Sequence, residues 1–215
     1  MIERLVCKLG RNDEVPNTQL AEELCQSRDS AGIGEIVGGL LGKDKAIAND
    51  CIKVLYEVGE RQPELIASYA DEFIACLRSK NNRLVWGGMK ALAQIASLAP
   101  QQIFENLQLV LGAYKNGSVI TVDHSISVFA SLCQAGVQYE KAVLPIIIDH
   151  LETCGPEKAA QHAERAAVCF NRSNAVRFTG VLEQRLPHLA PPGQARVNKL
   201  LKKLRDHAST SRKGR

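Results

Sequence analysis

The chain has 215 residues, a formal net charge of +4, 45% hydrophobic residues and only 5% aromatic ones. That balance excludes wholesale disorder, and no apolar run reaches the roughly 18–20 residues of a membrane span. Met1 to Cys7 lack the charged-then-apolar layout of an export signal. A reducing, cytoplasmic setting is therefore expected, with the seven cysteines as free thiols. Cys7, Cys25, Cys51, Cys76 and Cys133 sit among apolar neighbours and read as small core residues.

A repeat of 37 residues organises the chain. Ile52 to Gly59 shifts onto Met89 to Ala96 and again onto Ile126 to Cys133 with apolar positions in register. Pro63 maps to Pro100, Ile66 to Ile103, and Phe73 to Val110 and Ile147. Within a period the apolar spacing is helical: Ile47, Cys51, Val54, Leu55 and Val58 make one stripe, and Leu84, Gly88, Ala91, Leu92 and Ile95 repeat it. Turn signals at 42–44, 80–82 and 115–118 separate the helices, and Pro63 and Pro100 suit first helical turns.

In chain order the predicted helix pairs are 2–10 with 14–27, 31–42 with 44–60, 63–79 with 82–98, 100–115 with 118–134, 138–153 with 156–171, and 174–189 with 193–207. One such pair cannot bury its apolar face alone, so the pairs are expected to stack. The expected fold is an all-α solenoid of about six antiparallel pairs in a single domain, 1–207. Residues 1–30 read as an N-terminal cap, 31–190 as the clearer repeats and 191–207 as a basic capping helix. The polar segment 208–215 reads as a mobile tail.

This helix–turn–helix unit resembles the HEAT-like and armadillo-like repeat family. Ile47 to Gly59, Leu84 to Ala96 and Ile120 to Cys133 look like the second helix of a HEAT unit. Where that family carries an arginine early in this helix, the chain has Ala48, Val85 and Thr121, the mark of a divergent member. The resemblance implies that the second helices line a concave surface. Asn49, Lys53 and Glu57, then Trp86, Lys90 and Gln94, then Asp123, Ser127 and Ser131 would face outward there. Asn49, Lys53, Trp86, Lys90 and Asp123 are the candidate partner contacts. Trp86 reads either as a binding anchor or as a filler of space left by Gly87 and Gly88.

Signals for chemistry are sparse. His150 and Cys154 stand at i and i+4, with His162 one helix later, a spacing that zinc can use. A structural zinc site wants four ligands and Gly155-Pro156 interrupts the helix, so solvated or capping histidines, and no metal or other cofactor, are expected. The glycines of 32–39 do not follow a strand, and no nucleophile motif is present.

Charge is uneven. Residues 1–155 hold 14 Lys/Arg and 19 Asp/Glu, a balance of −5, and 156–215 hold 13 and 4, a balance of +9. Arg196, Lys199, Lys202, Lys203 and Arg205 flank a stripe of Val197, Leu200, Leu201 and Leu204. They read either as the polar face of a capping helix or as an anion-binding end. The leading functional reading is a non-enzymatic scaffold that holds a protein partner on the concave face. The alternative is nucleic-acid binding through the basic end. Some DNA-alkylation glycosylases are HEAT-like, but Lys90 rather than an acid lies one turn after Trp86, which argues against that activity.

Overall fold

The computed structural model describes the backbone of residues 1–210 and the side chains of residues 1–206. All regular structure among them is helical. Contacts group the chain into two compact units, Met1–Val128 and Phe129–Arg215.

The N-terminal unit contains α1 (Val6–Leu9), α2 (Val15–Ser27), α3 (Ser30–Gly38), α4 (Lys45–Arg61), α5 (Ala70–Cys76), α6 (Asn82–Ile95), α7 (Pro100–Glu105) and α8 (Leu107–Asn116), and α9 (Val119–Ala135) begins in it. The long second helices start one residue after Asp44, Asn81 and Ser118, so the 37-residue period is a period of helix starts. Each of these residues acts as an N-cap. Asp44 accepts from the amides of Ala46 and Ile47, Asn81 from that of Arg83, and Ser118 Oγ from that of Thr121. Such a cap satisfies amides that the helix leaves orphaned and contributes about 1 kcal/mol.

The first helices differ from the expected continuous ones. The segment expected as one helix over 63–79 is two 3-10 turns, Pro63–Leu65 and Ala67–Tyr69, followed by the short α5. The segment 100–115 breaks at Asn106, whose backbone leaves the helical region and whose side chain donates to the Gln102 carbonyl. The period that begins at Pro100 is thus a short helix, a second helix and a long one, α7, α8 and α9. Likewise 2–10 breaks at Leu5 into a 3-10 turn and α1.

Helix α4 packs on α2, α3 and α6. Its apolar stripe is the expected one, with Cys51, Val54, Leu55 and Val58 all buried. Close approach to α6 and of α5 to α6 needs the absence of side chains. A Cβ on Gly87 would lie 2.6 Å from Ile52 Cγ1, and one on Gly88 2.8 Å from Cys76 Cβ and 2.9 Å from the Phe73 carbonyl oxygen. Two glycines in a helix interior each cost about 1 kcal/mol of propensity relative to alanine, and the packing across both faces of α6 offsets it.

The C-terminal unit holds the rest of α9, then α10 (Val137–Thr153), α11 (Pro156–Ala166), α12 (Ala175–Arg185) and α13 (Pro191–Thr210). Helix α11 starts at Pro156, again 37 residues after α9. It stops at Ala166 rather than near 171, because a 3-10 turn, Ala167–Cys169, closes it. Asn174 then ties the loop down by donating to the Cys169 carbonyl and to Glu140 on α10. Phe129 and Phe178 are fully buried in this unit. Helix α13 runs through Thr210, three residues into the segment expected as a tail, and residues 211–215 of that expectation lie outside the described residues.

The cysteines are all free thiols, five of them buried, and Cys7 and Cys154 half-buried. Cys7 is therefore not the core residue expected. Cys169, which the sequence did not single out, is buried instead, within hydrogen-bonding reach of the Cys133 thiol.

The two kinds of helical glycine separate experimentally. Gly88→Ala, which forces a Cβ into Cys76 and the Phe73 backbone, is expected to destabilise by about 1–3 kcal/mol and to lower Tm by several degrees. Gly180→Ala on α12, where a Cβ meets open space, is expected to stabilise by about 0.5–1 kcal/mol. Thermal melts of the two variants check this, and equal shifts would contradict the packing account.

Candidate interaction surfaces

Two surfaces carry the residues singled out from the sequence. The first is the face of α4 and α6. Here the structure corrects the expectation for Lys53, which is only 8% exposed. Its ammonium lies 2.9 Å from Glu14 on the turn before α2 and 2.9 Å from Glu57 one helical turn on. Burial works against that charge, but the hydrogen bonds to Glu14 and Glu57 outweigh it and hold the amine above its ordinary range. Arg83 reaches Glu14 at 3.0 Å, Arg61 reaches Glu57 at 2.8 Å, and Lys90 reaches Glu60 at 2.8 Å. Lys90 also stands 4.2 Å from the centre of the Tyr56 ring.

Trp86 is half-buried, with its ring 5.6 Å from that of Tyr56 and the Arg83 guanidinium 5.9 Å from its centre. A Cβ on Gly87 would meet Ile52, and one on Gly88 would meet Cys76 and the Phe73 backbone. Asn49 accepts at 2.7 Å from Asn81, the residue that caps α6, and so fastens α4 to the start of its neighbour. Asp123 is half-buried on α9. The α4–α6 row is thus an ion-paired seam. Its partners were hidden in the sequence, because Glu14 precedes Lys53 by 39 residues and lies outside the clear repeats.

The second surface lies within the C-terminal unit. Helices α11 and α13 pack together and leave a cleft of about 580 Å³ beside them. Its floor is apolar, formed by Val168, Phe170, Leu200 and Leu204. Val168 is 51% exposed, and Phe170 rests edge-on against the buried Phe178 with ring centres 6.0 Å apart. The stripe read on α13 faces inward as expected, with Val197, Leu200, Leu201 and Leu204 all buried.

The rim is charged. Arg196 grips Glu164 with two hydrogen bonds, at 3.0 and 2.5 Å, which pulls the Glu164 carboxyl below its ordinary range. Arg205 pairs with Glu183 at 2.6 Å. Lys199, Lys202 and Lys203 are exposed and form no ion pair with any described residue, and Lys199 and Lys203 border the cleft. Of the five candidate anion-binding residues, two are therefore neutralised and three are open. Val168 and Phe170 were missed in the sequence, where they fall in the apolar run 166–170 at the end of the helix expected over 156–171, a run that does not tell a surface residue from a core one.

No protein-family profile and no curated protein matches the sequence. Solved structures do match its fold. An engineered protein solved by a structural genomics consortium superposes with a TM-score of 0.68 at 18% identity, covering 95% of this chain and 96% of that one. A designed armadillo repeat protein in complex with the peptide (KR)4 gives 0.70 at 13% identity, covering 89% and 91%. A second designed armadillo repeat protein gives 0.67 at 13% identity, covering 95% and 100%.

The seam has a pH signature. Burial raises the Glu57 carboxyl, yet hydrogen bonds from Arg61 and Lys53 bring it below its ordinary 4.5. A carboxyl lowered by folding contributes stability that is complete above the unfolded value and lost as pH falls through the folded one. Melts of the wild type are therefore expected to weaken below pH 4.5, and those of Glu57→Gln to weaken less steeply there. Parallel pH profiles would show that Glu57 does not couple protonation to folding.

At these identities the superpositions establish the fold alone, and it is that of the armadillo and HEAT-like helical repeats, an all-α solenoid architecture.

Proposed function

We propose that this chain is a non-enzymatic repeat scaffold that binds a protein segment, and that the segment is acidic and amphipathic and docks in the α11–α13 cleft. One observation carries the reading. The cleft joins an apolar floor, with Val168 held half in solvent, to two exposed lysines that form no ion pair with any described residue. An apolar stripe on an incoming helix or strand would cover Val168 and Phe170, and carboxylates beside that stripe would meet Lys199 and Lys203. The designed armadillo relative is solved with a basic peptide. The cleft here is itself bordered by Lys199 and Lys203, the same sign of charge as that peptide, which favours an acidic occupant instead.

The α4–α6 row supports binding less. Lys53 and Lys90 already have carboxylate partners, so a ligand there would have to displace them. Trp86, only partly covered, remains the contact to test on that face. Nucleic acid is the competing occupant of the basic end, and it would favour the exposed Lys202 as much as the cleft lysines and gain nothing from the apolar floor.

The test uses a fluorescent synthetic peptide with Leu and Phe on one helical face and Glu on its flanks. Binding to the full chain is expected to weaken about tenfold or more in a Lys199→Glu, Lys203→Glu variant, and also in Val168→Asp. Trp86→Ala is expected to leave it unchanged. Duplex DNA that binds more tightly than the peptide, with a steep salt dependence and no loss in Val168→Asp, would overturn the protein-binding reading.

A further inference from the structure

The spacing of His150, Cys154 and His162 acquires a new meaning once the chain is folded. The histidines are not solvated as expected from the sequence. His150 is 6% and His162 2% exposed. His150 and Cys154 stand one turn apart at the end of α10, on one side of it, and Cys154 is the capping residue whose backbone has already turned extended. Gly155 and Pro156 then open α11, which packs back on α10 and brings His162 against His150. Nε2 of His150 and Nδ1 of His162 lie 2.7 Å apart, with the rings tilted by 51° and their centres 4.7 Å apart. One donor atom from each of the three residues lies within 4.8 Å of the other two.

We propose that His150, Cys154 and His162 form a binding site for a single zinc ion. The donor set is two imidazoles and one thiolate, borderline-soft ligands that suit Zn²⁺ over Mg²⁺ or Ca²⁺. Tetrahedral Zn–N and Zn–S bonds of about 2.0–2.3 Å place neighbouring donors roughly 3.3–3.6 Å apart. The two imidazole nitrogens need to part by roughly half an ångström or a little more from their hydrogen-bonded separation of 2.7 Å, and the three donor atoms, all within 4.8 Å of one another, need to draw in toward a common ion. The three donors occupy three tetrahedral positions, and water completes the fourth. That three-plus-one pattern removes the objection that a fourth protein ligand is needed.

Arg185 of α12 donates to the carbonyls of Glu152 and Cys154 at the end of α10. Burial raises the Cys154 thiol, and the Arg185 charge works in the opposite direction. In the metal-free pair, one imidazole donates its hydrogen to the other. On binding, that hydrogen moves to the remaining nitrogen of its own ring, so both imidazoles coordinate as neutral ligands. The Cys154 thiol gives its proton to solvent as the S–Zn bond forms. One proton is therefore released per zinc bound. A buried histidine pair with a purely structural role predicts none of this.

The experiment uses the full chain, stripped with a chelator and titrated with Zn²⁺, and with Co²⁺ as a spectroscopic stand-in. The expected result is one equivalent of zinc, a raised Tm, release of one proton and a thiolate-to-cobalt charge-transfer band. Cys154→Ser is expected to abolish the band and to weaken zinc by at least the 10–100-fold that losing an outer-shell partner costs. Cys7→Ser, at the other half-buried cysteine, is expected to change neither. Far-UV circular dichroism confirms that both variants fold. Failure to bind stoichiometric zinc at micromolar concentration, or equal binding by Cys154→Ser, would overturn the proposal.

Discussion

The N-terminal unit depends on one constraint, the burial of α4 on several sides at once. An amphipathic helix needs one covered face, but α4 meets α2, α3 and α6, so its apolar stripe must be wide and its one inward cation must be paired. Cys51, Ile52, Val54, Leu55 and Val58 supply the stripe. Lys53 is tolerated because Glu14 and Glu57 both reach its ammonium. A buried ion pair of this kind is weak evidence for net stability, but loss of one partner leaves an uncompensated charge. The seam therefore fixes which way α4 is rotated between its neighbours. The glycines of α6 belong to the same constraint, since Ile52 of α4 projects into the space over Gly87.

Much of this arrangement is legible in the sequence. Asp44, Asn81 and Ser118 are N-caps at intervals of 37, and local propensity and tertiary period agree at all three. The stripe on α13 is equally plain, and its leucines are buried where the spacing puts them. What stays hidden depends on partners distant in the chain. Nothing beside Lys53 announces Glu14. The break at Asn106 follows from one side chain returning to the Gln102 carbonyl, a local competition that periodicity does not register. The meeting of His150 and His162 requires the turn at Gly155-Pro156, which in the sequence reads as an interruption and in the fold is the hinge that closes the pair.

The division of charge gains a structural meaning. The seam of the N-terminal unit consumes its cations in ion pairs, whereas on α13 the arginines are paired and the lysines are not. Arg196 suits a fixed position because its planar fork matches the Glu164 carboxylate in two bonds. Lys199 and Lys203 carry mobile point charges at the mouth of an apolar cleft. One helix thus carries both arginines fixed in ion pairs and lysines that form none with any described residue.

The central claim is that α4, flanked by its neighbours, is the structural keystone from which the N-terminal repeats are built. Native-state hydrogen exchange of the full chain tests it most directly. The account predicts that the amides of Val54, Leu55 and Val58 are the slowest of residues 1–128 and exchange only through global opening of that unit. Exchange of these amides as fast as those of the short helices α1 and α7 would contradict it.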